Sequence, residues 1–343
     1  CFIKFVTKQQ KKFTKPTNYT ALPIIDKIIE ANCIQSLIQR SRIHKVSSYF
    51  EHENMFMKRD DELGFGIGGS KVRKFTSLLK SIKSENPDFI VIEGSLNSNN
   101  VLGITALLNS LNLKCRLFLP QSHSSKKGNA IWTNQILFKD QIITSESHKG
   151  YTLEYYKQQL KTDNLFVVKE GASQIESIPG LLTLGQEINS FCQKEKLNFD
   201  SVYIDAGTGI TAIALLISLK LLNLKPHVYI TLIAGSEAEF EQSLNEHVKS
   251  FNKLFDCNLN ADEMRFNLLK PTTAKSFGSV NSTIKQEWLL MMKELGFPVD
   301  LTYTAKHFST VKDHLKTSGE QKKNLVINCG SWFASRNHES LFN

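Results

Sequence analysis

The stretch "SVYIDAGTGITAIALLISLKLL" runs from Ser201 to Leu222. Its first part, "SVYIDAG" (Ser201 to Gly207), is a short apolar run closed by a turn residue and reads as a buried strand. Its last part reads as a helix from Thr211 to Leu222, apolar through "AIALLISL" (Ala212 to Leu219). A strand that passes through glycines straight into a helix is the unit of a parallel α/β sheet. Unpaired amides at such a helix N-terminus, together with its dipole, bind phosphate. Thr208, Gly209, Ile210 and Thr211 are therefore a candidate phosphate cup. A tight turn with an N-cap threonine is the plain structural reading of the same residues, and the two are compatible.

The same alternation extends in both directions. Strands are expected at "FIVIEG" (Phe89 to Gly94), "CRLFLP" (Cys115 to Pro120), "QIIT" (Gln141 to Thr144), "LFVVKEG" (Leu165 to Gly171), "VYITLIAG" (Val228 to Gly235) and "LVINCG" (Leu325 to Gly330). Helical periodicity separates them at Lys71 to Lys83, Asn100 to Leu111 and Leu181 to Glu195. The first fifty residues are irregular apart from a helix around Ile24 to Arg40. Short apolar strands without polar alternation imply sheets covered on both faces. Ligands bind such sheets at the carboxyl ends of the strands. Three of those ends are small and polar: "EGSLNSNN" (Glu93 to Asn100), "DAGTGIT" (Asp205 to Thr211) and "NCGS" (Asn328 to Ser331).

A second glycine-rich stretch, "GFGIGGSKVRKF" (Gly64 to Phe75), lacks the expected context of a nucleotide loop. Gly64, Gly66 and Gly69 satisfy G-x-G-x-x-G, but that reading needs a buried strand just before them. The preceding "MKRDDEL" is charged and is not expected to form one. The order Gly-Ser-Lys also departs from the Gly-Lys-Ser of a P-loop. One loop thus offers an amine among glycines and the other a phosphate cup. A cofactor with an aldehyde at one end and a phosphate at the other, pyridoxal 5′-phosphate, uses both.

"KRDDELGFGIGGSKVRKFTSLL" (Lys58 to Leu79) resembles the "KRDD…GGNKxRKLE" segment of the 1-aminocyclopropane-1-carboxylate (ACC) deaminase and D-cysteine desulfhydrase family. "GSLNSNN" is similar to that family's "GG-x-QSNH/Q" turn, and "GTGIT", "FGSVN" (Phe277 to Asn281) and "LTYTAKH" (Leu301 to His307) follow in the family's order. The likeness spans roughly Lys58 to Ala334.

The resemblance implies fold type II: two open, twisted parallel-sheet α/β domains with helices on both faces and pyridoxal phosphate in the cleft between them. The expected division is an N-terminal extension (1–40), a large cofactor-binding domain (41–74 with 169–343) and a small α/β domain (75–168). It further implies that Lys71 is the Schiff-base lysine, which also moves the α-proton. Asn99 would bond the cofactor's 3′-oxygen, and Asn97, Ser98 and Asn99 would line the substrate subsite, with Ser98 at the carboxylate. Tyr303 would lie near the substrate as acid/base or nucleophile, with Phe277 beside it. Cys329 would contact the pyridine nitrogen as a neutral partner, leaving that nitrogen largely unprotonated. Each has a structural alternative: a basic helix start for Lys71, a capping turn for the Asn/Ser run, and ordinary core residues for Tyr303 and Cys329. Asp60 and Asp61 read as a charged turn that orders the loop carrying Lys71.

Four positions depart from the family's deaminase pattern. Ser70 replaces Asn before the lysine, Phe277 replaces a tyrosine, Thr304 replaces Glu and Cys329 replaces Leu. Small residues at the last two places lean toward the desulfhydrase branch. The expected activity is a lyase, deaminase or hydrolase on a small amino acid, by β-elimination of a D-cysteine-like substrate to pyruvate, ammonia and sulfide. ACC deamination, another amino-acid substrate, and a catalytically inactive binding protein remain open alternatives.

Composition limits the other classes. The chain has 343 residues, 41% hydrophobic and 22% charged, which is ordinary for a globular protein. Its net charge of +9 comes from dispersed lysines and carries no zinc-finger or RNA-binding signature, so no nucleic-acid partner is expected. Six cysteines without a CxxC pair imply reduced thiols in a cytoplasmic protein, and nine histidines without HxH or HxxxH spacing give no support for a metal. The longest apolar run is too short to span a bilayer. The basic first twenty residues read as a polar extension rather than a secretory signal. The resemblance adds a homodimer.

Overall fold

A computed structural model describes residues 23–66, 68–95, 98–120, 139–145, 152–317 and 322–330. The strands are β1 (Ile43–Lys45), β2 (Met55–Lys58), β3 (Phe89–Glu93), β4 (Cys115–Pro120), β5 (Ile142–Ser145), β6 (Leu165–Val168), β7 (Ser201–Ala206), β8 (His227–Leu232), β9 (Phe266–Leu269) and β10 (Asn324–Ile327). The helices are α1 (Ile24–Asn32), α2 (Lys71–Glu85), α3 (Asn99–Ser110), α4 (Leu153–Leu160), α5 (Ile178–Glu195), α6 (Ile210–Leu221), α7 (Glu237–Phe255), α8 (Ser282–Leu295) and α9 (Thr304–Leu315).

They build two open sheets. The larger has the order β1-β2-β10-β7-β8-β9 and the smaller β5-β4-β3-β6. Every pairing is parallel except β1 on β2, which adds one antiparallel edge strand to the larger sheet. Both faces of the large sheet are covered, as its unalternating strands require. Val202 and Ile204 of β7, with Leu325 and Ile327 of β10, point into one core shared with α1, α5 and α6. Tyr203 and Val326 point the other way, against Trp288 of α8 and Phe308 and Val311 of α9. Helix α6 is apolar nearly all round because it is buried nearly all round. In the small sheet, Ile90 and Ile92 face α2 and α3, while Val91 faces Tyr156 of α4.

The seven strands expected from sequence are present, with ends shifted by a few residues. The helix expected over Ile24 to Arg40 ends earlier: α1 stops at Asn32 and a 3-10 turn follows at Gln35–Leu37. Ile25, Ile28 and Ile29 of α1 lie in the large core. The expectation that no buried strand precedes the glycines is corrected. Met55–Lys58 is a strand in the body of the large sheet, between β1 and β10. Its last residue, Lys58, belongs to the charged run that argued against a strand, and it is fully buried there because its charge is neutralised in place.

That neutralisation is shared by four side chains. The Lys58 amine donates to Glu187 of α5 and to the Ser41 carbonyl. Arg73 of α2 grips Asp60 with two bonds of 2.7 Å and reaches Glu187 Oε1 at 2.7 Å. Burial alone would raise the Asp60 pKa, but the charges of Arg73 and Lys58 and the Arg73 hydrogen bonds hold it below the ordinary carboxylate range. Asp61 pairs instead with Arg59 at 2.8 Å, and Arg59 stacks 3.5 Å above the Phe297 ring. Removing one member of such a cluster leaves buried charge without compensation. Arg73→Met is expected to cost about 3–5 kcal/mol, read as a fall in the urea midpoint of the purified protein.

Candidate active site

The carboxyl ends of β3, β7 and β10 and the first residues of α2 converge on one cavity of about 350 Å³, within the usual size of a cofactor site. Lys71 enters it as the first residue of α2. Its loop hangs on the end of β10. Gly69, at φ +57°, lies so close that a Cβ there would fall 2.5 Å from the Cys329 carbonyl oxygen, and Ser70 N donates to that oxygen at 3.1 Å. Glycine at 69 is therefore required both by conformation and by space.

Across the cavity, β7 turns through Gly207 and Thr208 into α6. Gly209 is the N-cap at φ +84°, and no side chain caps the helix. The first amides of α6 are thus left for a ligand, as an anion site requires. Thr208, Gly209 and Thr211 line the cavity, and Ile210 is buried as the first residue of α6.

Ser98 and Asn99 line a third side, at the start of α3. Ser98 Oγ accepts from Val101 N at 3.3 Å, so it caps α3 and still keeps its own hydrogen to donate. Asn97 lies outside the described residues. Tyr303 packs over Gly207, where a Cβ would meet its Cε1 at 3.1 Å. Burial and the charges of Asp300, Asp205 and Glu170 push the Tyr303 phenol well above its ordinary pKa. Phe277, mostly exposed, stands on the rim with its ring 5.7 Å from that of Tyr303, edge to face. Cys329 is buried at the end of β10, and burial, followed by the charges of Asp205 and Asp60, keeps its thiol protonated. The structure thus gathers Lys71, Ser98, Asn99, Thr208, Gly209, Thr211, Phe277, Tyr303 and Cys329 around one space.

Sequence reading missed four residues there. Lys74 is one helical turn from Lys71 and shares its face. Its amine is buried and donates to the Gly171 carbonyl at 2.8 Å. Gly171 packs on Thr208, which places this amine on the side of the cavity where α6 opens. Burial and the neighbouring Lys71 push the Lys74 pKa down to about 7. Asn100 is buried with neither amide atom partnered. Asp300 caps α9, accepting from Tyr303 N at 2.6 Å and Thr304 N at 2.9 Å, and also from the Thr304 hydroxyl. Asp205 stands near the end of β7, beside Cys329. The rule that strand carboxyl ends carry the site could have found Asp205 and Asn100, and helical spacing could have found Lys74; Asp300 had no comparable signal.

A free amine, a helix N-terminus without a cap, a second amine beside it and orphaned polar atoms together fit pyridoxal phosphate. The family model described as "Pyridoxal-phosphate dependent enzyme" matches residues 34–330. The chain belongs to this family. As a pyridoxal-phosphate dependent enzyme family member, it takes pyridoxal 5′-phosphate as its cofactor, and its two parallel-sheet domains are those of fold type II. A Pyrococcus horikoshii protein with the provisional name 1-aminocyclopropane-1-carboxylate deaminase is 24% identical over 286 residues, 81% of this chain and 84% of that one. The D-cysteine desulfhydrase of Serratia proteamaculans is 24% identical over 281 residues, covering 79% and 84%. The crystal structure of an ACC deaminase homologue superposes with a TM-score of 0.80 at 20% identity, covering 94% of this chain and 99% of the other. That last likeness establishes the shared fold. Among the described residues, no group of three or more His, Cys, Asp or Glu is placed to hold a metal, and no helix is long and apolar enough to cross a membrane.

The Lys74 amine gives this family member a pH signature. Below pH 7 it is charged before a phosphate ester arrives; above it, binding an ester already dianionic, whose second pKa is about 6, must draw in a proton. Affinity for pyridoxine 5′-phosphate, which has no aldehyde, is expected to fall as pH rises from 7 toward 9 (roughly tenfold per unit at the steepest). Calorimetry in buffers of different ionisation heat should show the proton uptake, and Lys74→Met should abolish both.

Proposed function

We propose that this protein is a pyridoxal-phosphate dependent lyase that eliminates the β-substituent of a small amino acid, closest in kind to a D-cysteine desulfhydrase. The observation that carries this reading is the aromatic pair at the cavity mouth. Tyr303 is the only phenol among the described lining residues, and its neighbour Phe277 has no hydroxyl. Opening a cyclopropane ring calls for a nucleophile or acid at the ring carbon, and Phe277 removes one candidate for it. Elimination asks for less: one base, one acid and a place for the carboxylate.

Each of these has a residue. Lys71 Nζ is the amine that holds the cofactor's aldehyde and moves the proton at the substrate α-carbon. When bound, the cofactor supplies the electron sink for the pair left by that proton. Ser98, with its free hydroxyl hydrogen and the amides that open α3, binds the substrate carboxylate. Asn99, beside it, is placed to bond the cofactor's 3′-oxygen. The N-terminus of α6, through Thr208, Gly209, Ile210 and Thr211, binds the phosphate, and Lys74 adds a positive charge when protonated.

Tyr303 is the acid. Its raised pKa keeps the phenol protonated until the carbon–sulfur bond breaks and the sulfur leaves with the electron pair; the proton then passes to sulfur. Water attacks only the released unsaturated product, giving pyruvate and ammonia. The bond-breaking step is therefore an elimination, and the hydrolase class raised from sequence is withdrawn in favour of a lyase.

The purified protein is expected to be yellow and to carry a borohydride-reducible label on Lys71, which Lys71→Ala loses. It should release sulfide from D-cysteine and no ammonia from ACC. Tyr303→Phe should slow sulfide release about 10²–10⁴-fold while leaving the label intact. Ammonia from ACC without sulfide from D-cysteine would move the protein to the deaminase branch. A labelled protein inert toward a full amino-acid panel would leave the non-catalytic reading.

A further inference from the structure

One carboxylate in the cavity has no charged or strong donor in the protein for one of its oxygens. Asp205 Oδ1 is sealed from solvent and has no hydrogen-bond partner. Buried polar atoms without partners are rare and ask for a reason. Asp300, nearby, is different: both its oxygens are taken by the amides and hydroxyl that open α9. The charged and titratable groups facing Asp205 are Lys71 and Lys74 from α2, Asp300 and Tyr303 from the segment opening α9, and Cys329 from the end of β10.

None of them satisfies it. The Cys329 thiol hydrogen-bonds the Asp205 carboxyl, but a thiol held protonated is a weak donor and brings no charge. The Lys71 amine is committed to the cofactor's aldehyde, and Lys74 is spent on the Gly171 carbonyl and the phosphate side. What the cavity lacks is a cationic N–H donor. Pyridoxal phosphate carries one such group once protonated, its ring nitrogen, on the ring edge opposite the aldehyde carbon.

We propose that Asp205, and not Cys329, is the partner of the cofactor's ring nitrogen, and that it keeps this nitrogen protonated. The inference rests on the cofactor reading above and departs from the neutral-partner expectation drawn from Cys329. A carboxylate–pyridinium pair is a charge-assisted hydrogen bond, stronger than any a thiol could form. Burial and the charge of Asp300 raise the free carboxyl to about 6, so the site is one in which a positive partner is favoured. A protonated ring is also the stronger electron sink, which suits loss of an α-proton.

The test loads wild type, Asp205→Asn and Cys329→Ser with ¹⁵N-ring-labelled pyridoxal phosphate and records the nitrogen shift by NMR at neutral pH. Borohydride trapping on Lys71 is followed in parallel by peptide mass spectrometry. The expected result is the upfield shift of a protonated pyridine nitrogen in wild type and Cys329→Ser, and its loss in Asp205→Asn with trapping retained. Asp205→Ser serves where the asparagine variant does not fold. An unprotonated nitrogen in wild type, a nitrogen still protonated without Asp205, or loss of the shift in Cys329→Ser overturns the proposal. Absence of trapping in wild type would instead strike at the cofactor reading itself.

Discussion

Lys58, Asp60, Arg73 and Glu187 form the ion cluster on which the geometry of the site depends. It ties the end of β2 and the turn after it to α2 and α5, four parts of the chain that share no backbone pairing at that point. Successive residues on a helix are 100° apart, so Arg73 points nearly opposite Lys71. Clamping the guanidinium in the protein therefore turns the Lys71 amine toward the cavity. Buried charges cost desolvation, and a well-packed apolar set could be equally stable. An apolar set would not fix the rotation of α2 through directed bonds.

The cavity repeats the arrangement of charge with a different outcome. Two amines stand together at one side, Lys71 and Lys74, and two carboxyls at another, Asp205 and Asp300. Burial first, and then the like charge beside each, moves Lys74 toward neutrality and Asp205 toward protonation. A ligand that is anionic at one end and cationic at the other relieves both pairs at once. The polarity of the site thus favours one orientation of a bound ring over its reverse.

Much of this was legible in the sequence because fully buried parallel strands are short apolar runs, and such runs are easy to see. "FIVIEG", "SVYIDAG" and "LVINCG" needed no structure. The strands that were missed, β1, β2 and β9, lie at or near the edges of the large sheet. There the apolar signal is brief, and in β2 it runs into Lys58, Arg59, Asp60, Asp61 and Glu62, whose pairing is a matter of tertiary structure. The α6 turn could be named from its place between a strand and a helix, and Lys71 and Tyr303 from their resemblance to the family's motifs. Asp205 sat in plain view inside a strand, but an acid in a strand says nothing until its neighbours are known. Its lack of a donor is a property of the folded surroundings, as is the depressed basicity of Lys74.

The pairing of β10 between β2 and β7 has a consequence for how the protein is made. Strand β10 is the last of the described strands in chain order, yet it fills the gap in the middle of the large sheet and holds the Gly69–Ser70 turn through Cys329. A nascent chain still on the ribosome at residue 300 carries Lys71, the uncapped start of α6 and most of the core, but its large sheet is in two pieces. The lysine loop then has the ion cluster behind it, and it gains its second attachment, to the Cys329 carbonyl, only when β10 inserts.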